Sequence, residues 1–138
     1  MIILDTNILS AVMREIPDPI IVEWLDLQAR ESIWTTAITV FEIQLGLSIL
    51  EKGKRLERLE QTFQLALEEI FEGRVLPFDE ASAMASADIA AKRRHKGITV
   101  DMRDTQIAGI AVAKRSTLAT RNTKDFQELT VPVINPWE

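Results

Sequence analysis

Short apolar runs alternate with longer stretches of helical period along this chain, and that alternation restricts the fold more than any other feature. Ile2–Leu4 reads as a buried strand. From about Pro19 to Ala29 the pattern is helical, with Ile20, Ile21, Trp24, Leu25 and Gln28 on or beside one face. Ser32–Thr36 reads as a short strand. Thr39–Leu50 is amphipathic, with Val40, Ile43, Leu47 and Leu50 forming a stripe. Residues 53–73 predict a helix closed by Gly73. "RVLPF" (74–78) predicts a strand, and Pro77 confines it to a sheet edge or places the proline at its end. A small-residue helix follows, closed by Gly97, with basic residues in its last turn. Residues 101–115 form another helix with Ile107, Ile110 and Ala111 inward; "STLATRN" is a strand running into a loop, and "VPVINP" a last short strand. Strands alternating with helices imply βαβ crossovers. The expected fold is therefore α/β: a mostly parallel central sheet of four to five strands flanked by helices on both faces, in one domain over 1–138.

Composition narrows the chemistry. With 138 residues, 46% of them hydrophobic, the chain buries a core without staples. It has no cysteine, which removes thiol catalysis and disulfides and suits a cytoplasmic protein. No secretory signal or membrane span is expected, because no apolar run approaches the roughly 20 residues a membrane helix needs. A net charge of −5 argues against indiscriminate coating of nucleic acid. A local basic patch or a bound cation would still permit action on it.

Ligands of parallel α/β sheets bind beyond the carboxyl ends of the strands. Asp5 stands there after the first strand, and Thr120–Asn122 after a late one. Glu42 is expected in the first turn of the helix after "SIWTTAI", and Asp104 in the first turn of the helix "DMRDTQIAGIAVAK". All three acids therefore face one rim. Carboxylate oxygens are the hard ligands of Mg²⁺ and Mn²⁺. Two like charges 4 Å apart cost about 4 kcal/mol at an effective dielectric near 20, which a divalent cation removes. Each acid also has a purely structural role open to it. Thr39-x-x-Glu42 has the pattern of a capping box. Asp101 is suited to cap the helix of Asp104, whose charge is then favourable near a helix N-terminus. Asp5 can hold a turn through its own backbone.

Other chemistries lack their residues. His95, the single histidine, lies in the basic string "KRRHKG" and reads as solvated surface. There is no nucleophile elbow, phosphate-binding loop or glycine-rich dinucleotide turn. Gly46 and Gly109 fall within helices, where close packing is expected of them.

"LDTNILS", "TTAITVFEIQLGL", "RDTQIAGIAVAK" and "LATRNTKDF", in that order, resemble the motifs of PIN-domain ribonucleases, and more closely those of VapC/FitB-type toxins. "GRVLPFDE" and the closing "NPW" add to the likeness, which runs from Ile2 to Trp137. The resemblance implies a parallel-sheet fold and Mg²⁺- or Mn²⁺-dependent cleavage of RNA. It carries the three core acids onto Asp5, Glu42 and Asp104, and the polar pair after the first acid onto Thr6 and Asn7. Some members carry a fourth acid after the "TR" of the last motif; here Asn122 stands in that place, which puts occupancy by a second metal in doubt. Asp125, three positions later, matches an acid of relatives that share the asparagine; it either approaches the site or shapes the loop before Phe126, the latter preferred. Arg121 is a candidate phosphate contact, and Asp101 reads first as a helix cap. The resemblance also implies a cognate antitoxin, contact with operator DNA only through that antitoxin, and a homodimer.

A binding module working chiefly through an antitoxin is the alternative, with apolar residues around Trp24 and Leu45–Phe63 as its surface. Intact core acids favour the nuclease. A phospho-accepting receiver domain wants paired acids after the first strand and a late lysine, and "LDTN" offers one acid.

Overall fold

The computed structural model describes residues 1–99 and 101–138. Its elements run β1 (Ile2–Leu4), α1 (Thr6–Met13), α2 (Pro19–Asp26), β2 (Ile33–Thr36), α3 (Ala37–Ser48), α4 (Lys54–Leu65), β3 (Val75–Leu76), α5 (Glu80–His95), α6 (Met102–Ala113), β4 (Thr117–Ala119) and β5 (Val133–Ile134). The strands form one sheet in the order β3-β2-β1-β4-β5, every pair parallel. β1 is central, pairing Ile2 with Ile33 on one side and with Thr117 on the other. The expected α/β sheet is thus present with five strands, and β3, next to Pro77, lies at an edge.

Alternate residues of β1 serve opposite faces of the sheet. Leu4 joins a core of Ile8, Leu9, Ile21, Phe63 and Phe71, onto which Val40, Ile43, Leu47 and Leu50 of the predicted stripe pack. Ile3 joins Ile107, Ile110 and Leu118 on the other face.

Several boundaries differ from the sequence expectations, each for a local reason. The helix from Pro19 ends at Asp26 instead of Ala29, and Ser32 begins no strand because Arg30–Ser32 is a 3₁₀ turn. The helix expected to reach Gly73 breaks its α pattern after Leu65. It continues as a wider turn, Ala66–Ile70, in which Phe71 N–H donates to the Ala66 carbonyl at 3.2 Å. Gly73 (φ 79°) then reverses the chain, as a glycine allows. α3 starts at Ala37, capped by Thr36, whose hydroxyl accepts from Thr39 N–H at 3.1 Å. The Thr39–Glu42 capping box is therefore not formed, and Glu42 lies in the second turn. α1 is a helix that the sequence pattern left unassigned.

Candidate active site

The site is built where β1 and β4 end. Asp5 caps α1 and is 3% exposed. Its Oδ1 accepts from Thr6 N–H at 2.8 Å; its Oδ2 accepts from the Thr120 hydroxyl at 2.7 Å and the Asn7 amide at 3.3 Å. Asn7 is itself fixed, its Oδ1 accepting from Arg121 N–H at 3.3 Å. Asp5 N–H donates across the sheet to the Ala119 carbonyl at 2.9 Å. A carboxylate so enclosed has lost most of its water. Burial pushes its pKa up, against the Thr120 and Thr6 hydrogen bonds that pull it down.

Glu42 reaches the same place from α3. Its Oε1 accepts from the Thr6 hydroxyl at 3.0 Å, and that hydroxyl also lies 3.0 Å from Thr39 Oγ1. Its Oε2 faces Arg103 at 3.7 Å. Burial, then the Asp5 charge, raise its pKa despite the Thr6 bond and Arg103. Asp104, in the first turn of α6 as expected, is half-buried, and its pKa is pushed up to about 7 by burial and by Asp5, Asp101, Glu42 and Asp125. Asp101 does cap α6, accepting from Asp104 N–H at 3.0 Å, while its charge also bears on the other three acids.

The remaining candidates divide. Asn122 contributes its backbone, N–H to Thr120 Oγ1 at 3.1 Å. Asp125 lies in the 3₁₀ turn Thr123–Phe126, so it does shape the loop, yet its charge reaches Asp5 and Asp104. Arg121 lays its guanidinium over the Trp137 ring at 4.6 Å. Thr120 lies in the Thr120–Asn122 stretch expected at this rim, without a role assigned to it, and Arg103 has no place in the sequence expectations. Thr120 is a buried hydroxyl that only its partner, 115 residues earlier in the chain, reveals. Arg103 adjoins Asp104 and is a cation that ordinary motif reading passes over.

Crowded oxygens with raised proton affinities suit a hard divalent cation, and the donor set contains no sulfur or imidazole. As they stand, no three of the described acidic or imidazole groups are drawn into a closed ligand cluster.

A PIN-domain family model matches residues 2–131. The chain belongs to the PIN-domain family. It is 40% identical over 138 residues to the plasmid stability protein StbB of Pseudomonas syringae pv. tomato, covering 100% of this chain and 99% of that one. To the VapC ribonuclease Y4jK of Sinorhizobium fredii it is 36% identical, with the same coverage. Among solved structures, FitAcB from Neisseria gonorrhoeae superposes with a TM-score of 0.89 at 38% identity, covering 100% of this chain and 99% of that one. FitAB has also been solved on a DNA fragment. PIN-domain membership and the parallel-sheet fold expected from the ordered motifs are thus both met. No helix of the described residues is long and apolar enough to cross a membrane.

Proposed function

We propose that this PIN-domain protein is a divalent-metal-dependent endoribonuclease, the toxin of a toxin–antitoxin pair, acting in the cytoplasm. The observation that carries the reading is the gathering of carboxylates at one end of the sheet, where Asp5, which is buried, and Glu42 share Thr6 as a donor, Asp104 joins them from α6 with its proton affinity raised by burial and by their charges, and Arg103 faces Glu42 at 3.7 Å. A relative named as a VapC ribonuclease supports the substrate class.

Asp5, Glu42 and Asp104 would hold Mg²⁺ or Mn²⁺. A bound divalent cation supplies positive charge to the phosphate and makes water a nucleophile near neutral pH. The chain's part is orientation. Thr120, Thr6 and Asn7 fix the Asp5 carboxylate, and Thr6 also fixes Glu42, so one residue ties two acids from different elements, by its backbone N–H to Asp5 and by its hydroxyl to Glu42. Arg121 and Arg103 lie on the rim, where their guanidinium groups suit phosphate oxygens.

A groove between α1, α3 and α4 opens beside Thr6 and Glu42, floored by Met13, Leu47 and Leu59 and edged by Arg14 and Arg58. It suits a segment of the antitoxin, through which operator DNA would be reached. Exposed Phe41, Leu45 and Ile49 on and just after α3 offer a face for a homodimer. The deciding experiment incubates parent and Asp5→Asn with mixed RNA in Mg²⁺, Mn²⁺ or EDTA. Cleavage by the parent alone, lost in EDTA, is expected; equal behaviour of the two proteins under every metal would overturn the proposal.

A further inference from the structure

Arg93 is a charged side chain inside the molecule, 6% exposed, and nothing in the proposed chemistry uses it. A buried guanidinium is costly unless its donors are satisfied. Among the described residues, both polar contacts of its guanidinium are with one segment. Arg93 Nη2 donates to the Asp125 carbonyl, and Nε lies 3.6 Å from Glu128 Oε2. Both partners belong to the stretch that follows β4. From there a chain of hydrogen bonds leads to the acids. Asp125 N–H donates to the Asn122 carbonyl at 3.0 Å, Asn122 N–H to Thr120 Oγ1 at 3.1 Å, and the Thr120 hydroxyl to Asp5 Oδ2 at 2.7 Å. Phe126, 2% exposed, pins the other side of the same turn into the core beside Leu118.

We propose that Arg93 is a positioning residue: from α5 it fixes the Thr123–Phe126 turn so that Asp125 stands close to Asp5 and Asp104 as an outer carboxylate of the cation site. The inference rests on the metal-site reading above. It also has a sign of its own. Removing a positive charge should by itself favour cation binding, whereas releasing Asp125 should weaken it.

The test is calorimetric Mn²⁺ binding to the intact protein, parent against Arg93→Met, Asp125→Asn and the double variant, with exposed Arg94→Met as the control for lost charge. Arg93→Met is expected to weaken Mn²⁺ about tenfold, in the range for partners that orient ligands from outside. The double variant should bind no more weakly than Asp125→Asn alone, because Arg93 acts through that residue. Unchanged or tighter binding in Arg93→Met, or losses that multiply in the double variant, would overturn the proposal. Should Arg93→Met not fold, Arg93→Lys is read against the same outcomes, since it keeps the charge beside Glu128 and loses the planar fork. Asp5→Asn separates the two readings. If it abolishes Mn²⁺ binding while Arg93→Met leaves it intact, only the positioning role falls. If neither the parent nor Asp5→Asn binds Mn²⁺, the metal site falls and the positioning role with it.

Discussion

Half-buried Asp104 holds its proton until about pH 7, because burial and four neighbouring carboxylates oppose its charge. The unfolded chain gives that proton up near 3.8. The folded state therefore binds the proton more tightly. Its stabilising effect is complete below about pH 4 and is lost as pH rises toward 7. Asp104→Asn, which carries no charge to lose, is expected to stabilise the protein in EDTA at pH 8. A gain of about 1 kcal/mol remains after allowing for solvent screening at a half-exposed group. Urea unfolding at pH 8, pH 5 and pH 4 checks this; the gain should shrink by about half at pH 5 and largely vanish by about pH 4. Because protons and cations compete for the same oxygens, Mn²⁺ affinity of the parent should rise through the same interval. At Thr120 the effect has the opposite direction. Thr120→Val takes the 2.7 Å donor from a carboxylate with 3% exposure and should cost about 1–2 kcal/mol in chemical denaturation at neutral pH.

At the scale of elements, the α5–α6 pair explains a glycine. A methyl group on Gly109 would strike Ser86 Oγ and come within 2.8 Å of the Ser82 carbonyl. Gly109→Ala should therefore lower stability by about 2 kcal/mol, read from the denaturation midpoint. The sequence expectation of close packing holds there and fails at Gly46, where added bulk meets nothing within 4 Å. β2 contains the reverse case. Thr35 Oγ1 is a buried hydroxyl without a hydrogen-bond partner among the described residues, so Thr35→Val should stabilise by about 1 kcal/mol in the same assay. Strands and long helices were legible in sequence because apolar period survives any context, as the Val40–Leu50 stripe shows. Asp5, Glu42 and Asp104 could be grouped as candidates in sequence because each was expected at a strand end or a helix start on one rim, and the structure places them at or near helix starts. What escaped reading depends on spatial partners. α1 is short and begins inside a motif read for chemistry. Thr36 displaced Thr39 as the cap because β2 runs directly into α3. Thr120 Oγ1 meets Asp5, and the Arg93 guanidinium meets Asp125 and Glu128, across long separations in the chain.

For the whole molecule, a cation that binds only the folded state must raise its stability by mass action. Mn²⁺ at about 100 times its dissociation constant is expected to add about 2.7 kcal/mol in thermal melts of the parent and little in Asp5→Asn. The topology has a further consequence, in time as well as in space. β1 is made before β4, yet β4 pairs its Thr117 with Ile2, and Asp5 takes its hydroxyl donor from Thr120. Parallel pairing across such a separation forms late, because the intervening loop must close first. While the chain is being synthesised, Asp5 therefore waits without its donor until residue 120 has emerged from the ribosome.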